Sequence, residues 1–271
     1  MKLIDCFMYF DEDMLLDIRL HTLSKHVDKF IISESKEDHS GKKKKLNFDI
    51  KNFTKFKEKI SYIVVEELPK NKENLKKNWG PDWIRENFHR NSLANGYKNF
   101  SDNDLIMISD LDEIPDPKKI SEFRDDEKYA CFIQKNFQQK INLLNTSQKY
   151  WAGTKICKKK YLKSPQWLRN IKTKKRPFWK FYKPKEPQLI IDGGWHFSFL
   201  KNSEDISKKI QSYAHQEYHQ NKYTDINKIQ KKLNQKSDLF DRDYKYEKVD
   251  LNDKFPEYII NNKKKFNEWI I

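Results

Sequence analysis

Two aspartates, Asp110 and Asp112, are the residues of this 271-residue chain whose types and spacing most clearly indicate chemistry. They follow the apolar run 105–109, which predicts a buried strand, and Pro115 and Pro117 restrict the turn after them. The carboxyl end of a parallel strand is where α/β proteins usually bind their ligands. Two hard oxygen donors at this spacing suit Mg²⁺ or Mn²⁺, and such an ion neutralises a departing diphosphate as a Lewis acid. The turn therefore predicts a metal site with Asp110 and Asp112 as ligands.

Other interpretations of this turn stay open at the level of sequence. An acidic loop that only caps the next helix would look the same. A metal-dependent phosphatase or nucleotidyltransferase could use the Asp110-x-Asp112 pair, with the first aspartate as a nucleophile in the haloacid-dehalogenase type. That type normally places its motif after the first strand of the domain, whereas three predicted strands precede this one. The non-enzyme alternative is a basic polyanion-binding module.

Charge is distributed unevenly along the chain, whose formal net charge is +15. Residues 101–130 carry ten acidic and four basic side chains, a net charge of −6, whereas 155–185 carry thirteen basic and no acidic ones. A concentrated acidic segment is of little use to a non-specific polyanion binder, but it serves an enzyme that handles a metal-bound diphosphate. We therefore expect no nucleic-acid partner.

The basic segment 155–185 also contains aromatic residues, and its leading interpretation is an ordinary lysine-rich surface. If it has a partner, we favour an anionic or lipid-linked acceptor, which would keep the protein at the periphery of an anionic membrane. No stretch approaches 18 apolar residues, and acidic residues occur too early for a secretory signal. Three scattered cysteines, Cys6, Cys131 and Cys157, predict neither a disulfide framework nor a zinc site. We expect a cytoplasmic protein.

Strand and helix patterns alternate in the first third of the chain. Apolar runs predict strands at 3–10, 29–32, 60–65 and 105–109, and helical spacing predicts a helix after the first strand and another over 82–97. Strands that are apolar on both faces and alternate with helices predict an α/β fold, with a central, mostly parallel (mixed) sheet flanked by helices.

The second half of the chain has a different pattern. It predicts a bent strand or hairpin at 129–144, a strand at 189–192, and helices from Ser203, over 226–233 and over 256–269. Since no clean linker is visible, we expect a single domain over 1–271. Its nucleotide-binding half would cover about 1–125, and its acceptor or closing half about 126–271.

Eight motifs occur in order along most of the chain, and the most specific is Asp110-Leu111-Asp112-Glu113-Ile114-Pro115. The motifs cover 5–10 with 16–20, 27–35, 39–42, 85–91, 110–115, 194–198 and 209–212. Together they resemble glycosyltransferase family 17, the group of the β-1,4-mannosyl-glycoprotein β-1,4-N-acetylglucosaminyltransferase. The resemblance implies a GT-A fold, an inverting mechanism, a nucleotide-sugar donor, UDP-N-acetylglucosamine, and a glycan or lipid-linked glycan acceptor.

Four residues of the first half are further candidates for donor binding. Glu34 and Ser35 close the second predicted strand, where this fold usually receives the base and ribose; Glu34 could equally pair with a lysine. Lys42 belongs to a basic loop that could contact phosphates or simply be solvated. Arg90 lies on a partly apolar face of its predicted helix and needs an anionic partner, either the donor diphosphate or an aspartate of the turn.

Two of the chain's six glycines stand together before Trp195 and His196. Adjacent glycines allow close backbone approach or positive φ. Trp195 offers an apolar face on which a donor sugar could stack, and His196 could complete the metal site as a neutral imidazole. A hydrogen-bonded structural histidine is the alternative.

Inverting transfer needs a general base, and no pattern identifies it. Glu217 lies on the apolar stripe of the helix that follows Ser203, where desolvation would raise its pKa, although it could also pair with a basic residue. Asp192 ends a predicted strand. Glu113 adjoins the two aspartates and could orient donor or acceptor.

Overall fold

The computed structural model describes residues 1–70, 80–175, 179, 182, 184–212, 218 and 220–271. Within these residues, eleven strands form one mixed sheet. The strands are β1 (Leu3–Met8), β2 (Lys29–Ser35), β3 (Ile60–Val65), β4 (Leu105–Ser109), β5 (Glu113–Pro115), β6 (Tyr129–Gln138), β7 (Leu143–Asn145), β8 (Tyr150–Lys158), β9 (Gln188–Ile190), β10 (Gly194–Ser198) and β11 (Tyr246–Lys248).

Helices flank this sheet. They are α1 (Asp13–Leu23), α2 (Pro81–Ser92), α3 (Pro165–Asn170), α4 (Ser203–Ser212), α5 (Asn221–Thr224), α6 (Ile226–Gln235) and α7 (Glu257–Asn261). None of the helices in the described part of the chain has the length and hydrophobicity needed to cross a membrane. The helix predicted over 82–97 is α2 followed by a 3-10 turn at Leu93–Gly96, and the one predicted over 256–269 is reduced to α7 and a 3-10 turn at Asn267–Trp269.

Strand order places both halves of the chain in the same sheet. The main path runs β11-β7-β6-β8-β4-β1-β2-β3, and β9 and β10 pair with β6 beside it. The strands β3, β2, β1 and β4 are parallel, whereas β8 runs antiparallel to both β4 and β6. β10 is parallel to β6 and antiparallel to β5. The predicted α/β fold with a central mixed sheet is confirmed.

The sheet separates two hydrophobic cores, because successive residues of a strand point to opposite faces. In β1, Leu3 and Phe7 enter the main core with α1, whereas Ile4 and Cys6 enter the second core. Each fully buried side chain of this kind contributes about 1.5–3 kcal/mol relative to an exposed one. This two-sided burial explains why the strand runs are apolar throughout. All three cysteines are buried free thiols.

The parallel strands set the place where polar side chains gather. Since β1, β2 and β4 run in the same direction, the segments that follow them meet at one edge of the sheet. A smaller apolar cluster packs the α4–α6 region, and it includes Phe199, Ile206 and Phe240. The sheet edge and this cluster face a common cavity.

Candidate active site

A cavity of about 410 Å³ opens where β1, β2 and β4 end. Its lining includes Asp110, Asp112, Arg90 and His196, which are four of the residues predicted from sequence. A larger cavity of about 900 Å³, near Trp167, contains none of the predicted site residues. The geometry below therefore concerns the smaller one, which holds the acidic turn.

Two arginines bind the carboxylate of Asp110, one at each oxygen. Arg90 of α2 donates from Nη2 to Oδ1 at 3.0 Å, and Arg169 of α3 donates from Nη2 to Oδ2 at 3.0 Å. Burial opposes ionisation of Asp110, but the Arg169 and Arg90 guanidinium groups outweigh it and hold the pKa of this carboxyl below its usual range. Of the two partners considered for Arg90, the turn aspartate is the one observed.

Glu113 is fully buried, and each of its oxygens accepts two hydrogen bonds. Arg169 binds it through two contacts, Nη1 to Oε2 at 2.7 Å and Nη2 to Oε1 at 2.9 Å. The indole of Trp151 donates to Oε1 at 2.7 Å, and the backbone N–H of Asp110 donates to Oε2 at 3.0 Å. Glu113 therefore fixes the conformation of the turn from inside.

A third arginine holds the backbone of the same turn. Arg19 of α1 is fully buried and binds both oxygens of Asp5, at 2.8 and 2.6 Å. Its Nη1 donates to the backbone carbonyls of Asp110, Leu111 and Glu113 at 3.2, 3.1 and 2.9 Å. The turn is thus rigidly attached to the first strand and the first helix.

Asp112 and His196 are neighbours in the cavity lining, with Oδ1 of the aspartate 3.8 Å from Nε2 of the histidine. The amide of Asn136 donates to the carbonyl of Gln148 at 3.0 Å, so its oxygen must face His196 Nδ1, at 3.0 Å. That ring nitrogen consequently carries a proton, and Nε2 is the ring nitrogen that faces Asp112. The His196 ring also stacks on Trp151, with centroids 4.5 Å apart.

A partly buried lysine completes this wall. Lys209 of α4 places Nζ 3.6 Å from Oδ2 of Asp112 and 3.4 Å from Oε1 of Glu12. Burial disfavours its charge, but Asp112 and Glu12 outweigh that cost and raise its pKa, so the ammonium stays charged. For Asp112 itself, burial is the largest effect and raises the pKa, although Lys209 and His196 act in the opposite direction.

The described residues contain no group of three or more histidine, cysteine, aspartate or glutamate side chains arranged to hold a metal ion. Asp112 and His196 form a pair of potential ligands instead. The His196 tautomer suits this role, because metal-binding histidines usually donate their other ring N–H to a neighbouring acceptor. Asp110 differs, since both of its oxygens are bound by arginine.

Two histidines line another part of the cavity. His39 follows β2 and His89 belongs to α2, and their rings meet at 3.2 Å between Nε2 of His39 and Nδ1 of His89. Nε2 of His89 lies 3.2 Å from the carbonyl oxygen of Ser33. Burial is the main reason why the pKa of His39 falls to about 3 and that of His89 falls well below its ordinary value.

A family model decides the class of protein that carries this cavity. The model of glycosyltransferase family 17 matches residues 1–267. The chain belongs to glycosyltransferase family 17. No curated protein matches it. Membership favours a glycosyltransferase over the phosphatase, nucleotidyltransferase and polyanion-binding alternatives, and it implies a sugar donor and a glycan acceptor.

Two donor-binding candidates of this family 17 enzyme are engaged elsewhere. Glu34 is fully buried; it binds Lys44 and accepts from the Asn47 and Phe48 backbone at 2.8 and 3.1 Å and from the Tyr62 hydroxyl at 2.8 Å. Ser35 is buried and accepts from a backbone N–H two residues on, at 3.0 Å. Their side chains shape the loop after β2 and are not among those that line the described cavity.

Three further candidates also lie apart from the cavity. Trp195 precedes His196 in β10, so the two side chains point to opposite faces, and the Trp195 indole packs in the main core. Asp192 is 54% exposed and lies 3.8 Å from Lys135. Lys42 is exposed in its loop. This placement argues against donor stacking by Trp195 and against Asp192 as the base. Glu217 lies outside the described residues.

Sequence reasoning missed several residues of the glycosyltransferase site, namely Arg169, Lys209, Trp151 and His39 as a member of a histidine pair. One signal was available for the first of them. The chain contains few arginines among many lysines, and arginine is preferred where a planar, two-point contact with a carboxylate is needed. The two buried arginines of the described chain, Arg19 and Arg90, both contact the acidic turn, and so does the partly buried Arg169.

Some lysines of the basic segment 155–185 form ion pairs with carboxylates of the acidic segment 101–130. Lys158 binds Asp125 at 2.8 Å, and Lys185 lies 3.6 Å from Glu127, so the basic segment 155–185 faces part of the acidic one. Lys155, in contrast, is buried and donates to carbonyls at the end of α3, including that of Ile171 at 2.7 Å. Membrane contact by this segment stays a prediction.

Proposed function

We propose that this glycosyltransferase transfers N-acetylglucosamine from UDP-N-acetylglucosamine to a hydroxyl group of a glycan or lipid-linked glycan, with inversion and with Mn²⁺ or Mg²⁺ as cofactor. One observation carries the proposal. Nε2 of His196 and the ammonium of Lys209 both lie within 4 Å of the Asp112 carboxylate, at the carboxyl end of β4. This arrangement supports the proposal because it offers two candidate metal ligands with a cation beside them for a diphosphate.

Asp112 and His196 are the residues that would hold the ion. When bound, the ion would supply Lewis-acid neutralisation of the diphosphate. Asp110 has a different part in this proposal, because its carboxylate aligns the guanidinium groups of Arg90 and Arg169 beside the site. The two aspartates of the motif therefore have different roles: Asp112 would contact the ion, and Asp110 positions the two arginines.

Lys209 is the cation best placed to bind the diphosphate. Its ammonium is held between two carboxylates and needs no rearrangement of α4 to remain near an anion that reaches Asp112. A positive charge fixed in a partly buried site stabilises the charge that develops on a leaving group. Lys209 would thus assist departure of the nucleoside diphosphate.

The aromatic part of the cavity lining suits an acceptor sugar. Phe199, Tyr218 and Phe240 line it together with Arg242. Aromatic rings provide apolar faces against which the C–H side of a sugar ring can pack. These residues belong to the second half of the chain, which is the half expected from the sequence to bind the acceptor.

Inversion follows from attack on the face opposite the leaving group. The acceptor oxygen forms a bond to the anomeric carbon of the α-linked donor, the bond from that carbon to the diphosphate oxygen breaks, and a base removes the hydroxyl proton. Glu113 is unsuited to be that base because all of its acceptor positions are occupied. Of the three candidates, Glu217 is the one that the described geometry leaves open.

Slow hydrolysis of the donor tests the proposal without knowledge of the acceptor. The protein is incubated with Mn²⁺ and UDP-N-acetylglucosamine, and release of the sugar and thermal stabilisation by UDP are measured. We expect both in the wild type, loss of both in Asp112→Asn, and no change in Asp125→Asn, whose side chain is 88% exposed. Absence of metal-dependent nucleotide binding in the wild type would contradict the proposal.

A further inference from the structure

His39 and His89 line the cavity but take no part in the metal and diphosphate chemistry described above. Their hydrogen bonds determine which ring nitrogens carry protons. Nε2 of His89 lies 3.2 Å from the carbonyl oxygen of Ser33, and because a carbonyl oxygen only accepts, this nitrogen carries the His89 proton.

Both rings are neutral. Burial lowers the two pKa values, and the positive charges of Arg90, Arg85 and Lys44 contribute at His39. A neutral His89 with its proton on Nε2 has a lone pair on Nδ1, so Nε2 of His39 must donate to it across the 3.2 Å contact. Nδ1 of His39 consequently carries a lone pair, and no hydrogen bond joins it to any described residue.

Backbone hydrogen bonds fix the position of His39 and so the direction of this lone pair. The His39 N–H donates to the carbonyl of Ser212 at 3.1 Å, and its carbonyl accepts from Arg85 Nη1 at 3.2 Å. Gly41 has φ +91°, which favours glycine, and a Cβ there would lie 2.9 Å from the Arg85 guanidinium, so a substitution would strain the loop and displace Arg85. His39 thus offers a fixed hydrogen-bond acceptor at the end of β2.

We infer that Nδ1 of His39 accepts a hydrogen bond from the imino N–H of the donor nucleobase and selects uracil against cytosine. This inference rests on the proposed function, in which the first half of the chain binds a nucleotide sugar. Uracil carries a hydrogen on N3, whereas cytosine has a lone pair there. Cytosine would place one acceptor against another, and an unmatched buried polar group weakens binding by roughly tenfold or more.

Binding of UDP, CDP and N3-methyl-UDP is measured by titration calorimetry with Mn²⁺ for the full chain. In the wild type we expect UDP to bind at least about tenfold more tightly than either of the others. His39→Phe should bring the three affinities to within about threefold of one another, and His89→Phe should reduce the selectivity because the His39 tautomer is no longer fixed. His26→Gln, at an exposed position, serves as the control and should retain the selectivity.

The ligand-side comparison keeps the inference testable if His39→Phe does not fold. Wild-type protein that binds N3-methyl-UDP as tightly as UDP would overturn the inference and leave the proposed function intact. Unchanged selectivity in a folded His39→Phe would do the same. Wild-type protein that binds none of the nucleotides would overturn both the inference and the proposed function.

Discussion

Arg169 and Glu113 form a two-point ion pair, with contacts of 2.7 and 2.9 Å, in which the glutamate is completely shielded from solvent. The same guanidinium also reaches Asp110, so one side chain from α3 binds both ends of the acidic turn. Removal of one partner from a buried pair leaves a charge without compensation, and the resulting loss of stability is large.

We therefore expect Arg169→Met to lower the free energy of unfolding by about 3–5 kcal/mol. Arg169→Lys should cost less, because it keeps the charge but cannot make both contacts. Urea unfolding monitored by tryptophan fluorescence measures these differences. The control is Arg124→Met, at an ion pair that is 58% exposed on the arginine side, and it should change stability by less than about 1 kcal/mol. Equal effects at the two positions would contradict the buried-pair interpretation.

Lys209 offers a matched comparison with its neighbour in α4. Lys209 is 19% exposed and faces Asp112, whereas Lys208 is 70% exposed and pairs with Asp205. Lys209→Met should weaken UDP binding in the presence of Mn²⁺ by roughly tenfold to a hundredfold, since a charge-assisted contact is worth about 1.5–3 kcal/mol. Lys208→Met should bind UDP like the wild type. An equal loss in the two variants would show that general surface charge, and not the position of Lys209, governs binding.

Asn136 is expected to tune metal affinity without touching the ion. Its side-chain oxygen accepts from His196 Nδ1 and thereby keeps Nε2 directed toward Asp112. Asn136→Leu should reduce Mn²⁺ affinity by about 10–100-fold. Asn136→Asp retains an acceptor and should recover most of that affinity, as followed by electron paramagnetic resonance of bound Mn²⁺. Identical affinities in the two variants would contradict the positioning role.

The histidine pair predicts a pH dependence of stability. Its folded-state pKa values lie below the ordinary value of 6.5, with His39 at about 3. Between these pH values the unfolded chain binds more protons than the folded chain, so stability falls as the pH is lowered through this window. His39→Phe removes one such group. As the pH is lowered, the free energy of unfolding of this variant should fall less steeply than that of the wild type, and the two slopes should differ by up to about 1.4 kcal/mol per pH unit. Parallel curves for the variant and the wild type between pH 4 and 6.5 would contradict this.

Gly194 allows β10 to approach the backbone of β5 closely. Its φ is +134°, and a Cβ there would lie 2.2 Å from the carbonyl oxygen of Ile114 and 2.6 Å from the backbone nitrogen of Asp116. Because both obstacles are backbone atoms, Gly194→Ala should lower stability by roughly 1–3 kcal/mol or more. Gly80→Ala is the control, since nothing lies within 4 Å of the added carbon. Thermal denaturation compares the two variants.

The parallel half of the sheet was predictable because its strands are buried on both faces and leave continuous apolar runs in the sequence. The position of Asp110 and Asp112 followed from the same pattern, since they come directly after such a run. Arg169 was not predictable, because it reaches Asp110 across 59 residues and no local pattern records that contact. Trp195 and His196 were both assigned to the site, although adjacent residues of a strand face opposite sides and only His196 lines the described cavity.

The central place of β4 has a consequence for chimaeric enzymes. This strand lies between β1 and β8, so each half of the chain supplies one neighbour of the strand that carries the acidic turn. An exchange of halves at residue 125 would separate that turn from Trp151, Arg169 and Lys209, and would give it the corresponding residues of another protein. A hybrid enzyme would therefore have to carry the acidic turn and its three distant partners together.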